Sequence, residues 1–143
     1  MQINIKKLTS DAIIPTYAHE GDAGADLYSI VAQTLLPGEI FFVSTGLAIE
    51  IPIGYEGQIR SRSGLACKFG VAVVNAPGTI DSCYRGEIKV ALINHGDACY
   101  RLNVGDRIAQ LVIAPVVSAK FTEVAELSNE SQRGTGGFGS SGI

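Results

Sequence analysis

The sequence predicts an all-β sandwich or barrel carrying one short helix. Three observations lead there. Short runs of β-branched and aromatic residues alternate with a period of two, clusters of Gly, Pro, Asn and Asp interrupt them at short intervals, and only one brief segment reads as helical. At 143 residues the chain has room for a single domain, long enough to bury roughly 68 % of the surface it exposes unfolded.

The elements follow in chain order. Met1 to Leu8 alternates apolar with polar residues as a first strand would. Phe41 to Ile53 is rich in strand formers, and Ile88, Val90 and Leu92 alternate with Lys89, Ala91 and Ile93. Turns are expected at Pro37-Gly38, Pro52-Ile53-Gly54, Pro77-Gly78 and Asn94-His95-Gly96-Asp97. The helix is expected after Ser63, through Leu65, Ala66 and Lys68, closed by Gly70. The strand-like part is expected to end near Leu127, giving a β domain over 1–127 and a Gly, Ser and Thr-rich tail over 128–143.

Composition narrows the function classes. Eleven Lys and Arg against fourteen Asp and Glu give a formal charge of −3, which offers no basic footprint for a nucleic-acid backbone. Any anion is therefore small and held locally. Cys67, Cys83 and Cys99 are odd in number and lack CxxC spacing, so they read as buried or half-buried free thiols in a reducing compartment. The amino terminus has no apolar signal core and no stretch reaches a membrane span, so a cytoplasmic protein without a membrane partner is expected.

Histidine chemistry is poorly served, because only His19 and His95 are present and both sit in turn-like polar surroundings. Polar clusters embedded in the strands carry more information. Gly24-Ala25-Asp26-Leu27 places a carboxylate after small residues that allow close approach, although alone it reads as a turn Asp. In Arg60-Ser61-Arg62-Ser63-Gly64-Leu65-Ala66 two guanidinium groups at strand spacing share a face. A hydroxyl and helix-start N–H groups follow them, a set suited to phosphate and equally readable as surface charge alternation.

Asn75 to Glu87 reads as a hairpin with polar residues around its turn. Its backbone could read the edge of a flat base, with Asp81 available to activate water and Tyr84 to stack. In Gly105-Asp106-Arg107-Ile108-Ala109-Gln110-Leu111, Asp106 and Arg107 read as a charge pair or turn cap, and Gln110 is an amide in an apolar run that needs partners. The tail from Arg133 to Gly142 combines glycines, whose N–H groups can converge on an anion, with Arg133 and Phe138. A plain linker needs neither side chain.

Taken in order, AGADL, RSGLA, GTIDSCYRG, GDRIAQL and RGTGGFGSSG resemble the five sequence motifs of the dUTPase family. The match runs from Gly21 to Gly142, and five motifs in register are far more specific than any one. The resemblance implies a jelly-roll-like fold assembled as a homotrimer. Each active site would be shared between subunits and covered by a carboxy-terminal arm. It implies hydrolysis of dUTP to dUMP and pyrophosphate by water attack at the α-phosphate, limiting uracil incorporation into DNA and supplying dUMP for thymidylate synthesis.

By motif position, Asp81 resembles the general base and Tyr84 the ring beneath deoxyribose. Asn75 and the backbone of Gly78, Thr79 and Ile80 resemble the uracil reader. Arg62, Ser63, Gly64 and Gln110 resemble the phosphate contacts. In the arm, Phe138 would stack on uracil while Arg133, Gly139, Ser140 and Ser141 hold the γ end. Asp26 would order waters on a Mg²⁺ ion held chiefly by the phosphates. Cys83 stands where an acidic residue is frequent in that family, and Ser61 where proline is common. Two rivals remain, a dCTP deaminase-type enzyme on the same fold and a non-catalytic nucleotide-binding trimer. Asn75 and a Pro-Gly turn, in place of a carboxylate at the pyrimidine C4 edge, speak against the first, and the presence of Asp81, Arg133 and Phe138 against the second.

Overall fold

The computed structural model describes residues 1–128, 130–137 and 140. Among them, the alternating runs form eleven strands: β1 (Asn4–Lys7), β2 (Ala25–Tyr28), β3 (Gln33–Leu35), β4 (Ile40–Ser44), β5 (Leu47–Glu50), β6 (Tyr55–Arg60), β7 (Val71–Val73), β8 (Gly78–Ile80), β9 (Lys89–Asn94), β10 (Tyr100–Leu102) and β11 (Arg107–Pro115). The helix α1 (Ser63–Phe69) lies between β6 and β7. It ends where glycine was expected to end it: Gly70 adopts φ 70°, and its N–H turns back to the carbonyls of Ala66 and Leu65. Among the described residues no helix is long and apolar enough to cross a membrane.

Every ladder is antiparallel. One sheet runs β2-β11-β6-β8, a second β4-β9-β7, and two-stranded ladders join β1 to β5 and β10 to β3. Neighbours in space are distant in sequence, as a jelly-roll-like sandwich requires. The core takes residues from all four sheets, with Leu27, Leu35, Val43, Leu47, Val71, Val90, Leu92, Leu102 and Ile108 almost wholly buried. Two buried polar side chains fix the crossings. Thr45 donates to the Ile88 carbonyl (2.6 Å). Asn94 donates to the carbonyls of Leu35 (3.0 Å) and Ala98 (2.9 Å) and accepts from Gly96 N–H, so the expected 94–97 turn is pinned from inside.

Three expectations are corrected. The last strand closes at Pro115, well before Leu127. Val116 still donates to the Gly54 carbonyl at 2.9 Å. Beyond it Val117 and Phe121 are 93 % and 95 % exposed, because apolar residues become a strand only where a sheet edge accepts their N–H and C=O groups.

The segment from Asn75 to Glu87 is not a hairpin closed on itself. β7 pairs with β9 whereas β8 pairs with β6, so the chain crosses between sheets through the cis Ala76-Pro77 bond and turns at Asp81–Tyr84. All three cysteines are exposed free thiols. Cys67 is on the outer side of a helix that buries only Leu65, and Cys83 and Cys99 sit in turns that contribute nothing to the core.

Candidate active site

The motif residues gather in two clefts. The first, about 370 Å³, is lined by Asp22, Gly24, Asp26, Arg62, Ser63, Gly64, Arg107 and Gln110, with His19 at its rim. Its floor is the β2-β11-β6 region, where Gln110 is opposite both Asp26 and Arg60. Asp26 is a strand residue here rather than a turn residue, and its backbone N–H donates to the Thr16 carbonyl at 2.9 Å.

A β-bulge decides which side chains meet in this cleft. The β11–β2 register shifts between Arg107 and Ala109, so that Arg107 pairs with Tyr28 while Gln110 pairs with Asp26. Residues 107 and 110, an odd number apart, would face opposite sides of a regular strand. The extra residue brings them to one side and leaves Ile108 and Ala109 both buried. The Asp26 carboxylate consequently bridges two arginines, with Arg62 Nε at 3.0 Å from one oxygen and an Arg107 guanidinium nitrogen at 3.2 Å from the other. Within this triad one positive charge is in surplus.

Arg62 also donates to the Arg107 carbonyl at 3.2 Å, so it is held from two directions. Of the two readings of Asp106 and Arg107 the turn cap holds, with Asp106 accepting from Asn103 N–H at 2.8 Å, whereas the charge pair does not, since Arg107 pairs with Asp26. Arg60 does not join Arg62: it ends β6 with its guanidinium on Gln58, and the chain leaves the sheet after it, turning Arg62 away toward Asp26.

The Gln110 amide finds the partner it needed, donating to the Ser61 carbonyl at 3.0 Å. Ser61 is a junction, since its hydroxyl accepts the Val73 N–H at 2.9 Å. Gly24 must be small, because a Cβ there would overlap the Gln110 amide oxygen. At the start of α1 the N–H groups of Leu65 and Ala66 both turn back to the Arg62 carbonyl. Those of Ser63 and Gly64 are first-turn donors without an intrahelical acceptor, placed beside Arg62 in the cleft.

The second cleft, about 460 Å³, is lined by Asn75, Gly78, Thr79, Ile80, Asp81 and Tyr84, together with Phe42, Ile59, Glu87, Ile88, Lys89 and Ala91. β8 forms one wall through its pairing with β6, and the turn after it, closed by Tyr84 N–H on the Asp81 carbonyl at 3.0 Å, presents the Asp81 carboxyl and the Tyr84 ring. Tyr84 is 45 % exposed, and its ring lies on Gly86, where a Cβ would come within 2.6 Å of Cζ. Its hydroxyl donates to the Glu87 carbonyl at 2.9 Å. Arg85 donates to the carbonyls of Ser82 (2.7 Å) and Tyr84 (2.8 Å) and pairs with Glu50 at 3.3 Å, tying the turn to β5. The Asn4 side-chain donor and the Arg85 charge together hold the Glu50 carboxyl below its ordinary range.

In the tail, Arg133 donates through Nε to the Gly136 carbonyl at 2.9 Å, Gly136 N–H returns to the Arg133 carbonyl at 3.1 Å, and Ser140 N–H reaches the Gly137 carbonyl. These bonds are all local to the tail. Phe138, Gly139 and Ser141 lie outside the described residues. The structure thus brings Asp26, Arg62, Ser63, Gly64 and Gln110 into one cleft and Asn75, Gly78, Thr79, Ile80, Asp81 and Tyr84 into another, with no lining residue in common.

Sequence reasoning missed Phe42, Lys89 and Arg107 as lining residues. Phe42 sits in an apolar strand, and nothing local marks it as exposed. Lys89 was legible only as the polar half of an alternating run.

Comparison with known proteins agrees with the motif order. The sequence model of the dUTPase family matches residues 10–142. A deoxyuridine 5'-triphosphate nucleotidohydrolase of Nautilia profundicola is 56 % identical over 142 residues, covering 99 % of each chain. The structure of the Staphylococcus bacteriophage 80alpha dUTPase with dUPNHPP superposes with a TM-score of 0.93 at 32 % identity, covering 99 % of both chains. A mutant dUTPase from phage phi11 of S. aureus, described with a structural Mg(II) ion, gives a TM-score of 0.82 at 29 % identity, over 88 % of this chain and 98 % of its own. Five motifs in register, the same architecture and identity above one half along nearly the whole length lead to one assignment: the chain belongs to the dUTPase family.

Proposed function

We propose that this protein is a dUTP diphosphatase, hydrolysing dUTP to dUMP and pyrophosphate, and that it works as a homotrimer with shared sites in the cytoplasm. The observation that carries the reading is the separation of the two clefts. A nucleoside triphosphate needs a base reader and a phosphate holder in one continuous site, whereas here Asp81 and Tyr84 line one cleft and Arg62, Ser63 and Gln110 line another. Subunits that face each other cleft to cleft complete the site.

In this reading Asn75 and the backbone of Gly78, Thr79 and Ile80 bind uracil in a slot too tight for the thymine methyl group. Tyr84, seated on Gly86, lies beneath deoxyribose and leaves no space for a 2′-hydroxyl. Asp81 takes the proton of the water that attacks the α-phosphorus, and the bridging oxygen leaves with pyrophosphate. Arg62, aimed by Asp26, and the donors at Ser63, Gly64 and Gln110 meet the charge developing there. Residues 128–143 act as the arm of the 1–127 domain, with Arg133, Phe138, Gly139, Ser140 and Ser141 closing over the nucleotide.

Magnesium fits this donor set in one particular way. Among the described residues no three His, Cys, Asp or Glu side chains converge as a metal cage, and both Asp26 oxygens face guanidinium groups. The ion would be carried by the triphosphate, with Asp26 reaching it through water. When bound, it neutralises phosphate charge.

The test is pyrophosphate release from dUTP, dTTP, dCTP and UTP with magnesium, beside sedimentation analysis of the protein. Release from dUTP alone by a trimer is expected. No release from any of them would leave a non-catalytic binder, and ammonia from dCTP would indicate a deaminase.

A further inference from the structure

Tyr84 is positioned by its own chain. Its ring lies on Gly86 and its hydroxyl is bonded to the Glu87 carbonyl (2.9 Å), so the ring can be no better placed than the 86–87 backbone. That backbone is fastened to the β4–β5 turn. Ile88 N–H donates to the Leu47 carbonyl at 2.7 Å, and the Ile88 carbonyl accepts the buried Thr45 hydroxyl at 2.6 Å. The Glu87 side chain adds a third tie one residue nearer the ring, its Oε1 accepting the Gly46 N–H at 3.0 Å.

Gly46 is a firm anchor. It has φ 67°, and a Cβ there would meet Thr9 Oγ1 at 2.9 Å and Ala12 Cβ at 3.0 Å, so the turn has little room to move. The other Glu87 oxygen faces Lys89 Nζ at 3.6 Å, which keeps the carboxylate turned inward while Lys89 lines the cleft wall. A carboxylate on a backbone N–H is a charge-assisted bond, stronger than its neutral counterpart.

We propose that Glu87 is a positioning residue for sugar discrimination: by hooking the 86–87 backbone to Gly46 it fixes the height of the Tyr84 ring in the cleft. The proposal rests on the reading of this cleft as the deoxyribose site. It differs from a general role in folding because it acts through a selectivity. If the ring stays at its present height, a 2′-hydroxyl meets it; if the 86–87 segment loosens, the ring recedes and the hydroxyl is accommodated.

The experiment measures kcat/KM separately for dUTP and UTP in the full-length parent, Glu87→Ala and Glu87→Gln, with thermal unfolding of each. Loss of the Gly46 bond in Glu87→Ala is expected to narrow the dUTP-to-UTP preference by about tenfold, mainly through KM. Glu87→Gln, which keeps an acceptor oxygen, should recover most of it. A Glu87→Ala protein that slows on both substrates equally, with the preference unchanged, would overturn the proposal and leave Glu87 a purely structural residue. So would an unrescued Glu87→Gln with the same loss as Ala. A parent without dUTP hydrolysis would instead overturn the functional reading itself. If Glu87→Ala fails to fold, Glu87→Gln and Glu87→Ser carry the same comparison, with the narrowing expected in Ser alone.

Discussion

Gly24 lies so close to Gln110 that a methyl group at position 24 would overlap the Gln110 amide oxygen. The small residue of the first motif and the amide of the fourth are thus one packing unit, and the Gln110–Ser61 hydrogen bond extends it to the second. Gly24→Ala should displace the amide, costing about 1–3 kcal/mol of stability as overpacking does and raising KM for dUTP. A variant with unchanged KM and unfolding temperature would show that the cleft tolerates the methyl group.

Asp26 holds Arg62 and Arg107 through separate oxygens and is itself only 13 % exposed. Asp26→Asn removes the negative charge and leaves two guanidinium groups facing one neutral amide. Because Arg107 is half exposed, the expected loss is discounted to about 1–2 kcal/mol. Chemical denaturation measures it, and dUTP affinity should fall along with stability because Arg62 loses its aim.

Asp81 stands at the second cleft just after β8, with its carbonyl tied into the turn and its carboxyl exposed. Asp81→Asn should therefore leave fold and dUTP binding intact while turnover falls by about 10³-fold or more, the scale of a lost general base. Single-turnover kinetics beside calorimetric binding would separate the two. Undiminished turnover would remove Asp81 from the role.

The arm makes its described hydrogen bonds within itself. Deleting 132–143 should accordingly leave the unfolding free energy within about 0.5 kcal/mol of the parent, while kcat/KM for dUTP falls by about 100-fold through lost positioning. Full activity in the truncated protein would dismiss the lid.

Glu50 gives a pH signature. Its carboxyl is held below the ordinary range by the Asn4 donor and then by Arg85. A depressed carboxylate contributes stability above its unfolded pKa and loses that contribution as pH falls through its folded pKa. The tie from Arg85 to β5 should weaken in that acid window, and Glu50→Gln should flatten this part of the acid limb in a pH series of thermal unfolding.

The sequence alone determined the class of fold, the short helix and its end at Gly70, and the motif order that marks the family. These depend on local properties: two-residue alternation, turn chemistry and glycine's access to positive φ. It also singled out Asp26, Arg62, Asp81, Tyr84 and Gln110.

What it left open is how strands pair and where a register slips. No local pattern shows that β8 pairs with β6 rather than folding back on its own segment. Nor does any show that a bulge before Ala109 turns Arg107 to the side of Asp26. The Val, Phe and Leu residues after Pro115 carry strand-like composition without a strand beside them, and three cysteines of buried type stand exposed in turns and on a short helix. Periodicity fixes which side chains share a face of one strand. Only tertiary pairing decides which faces meet, and here it sorts the motifs into two clefts that share no lining residue.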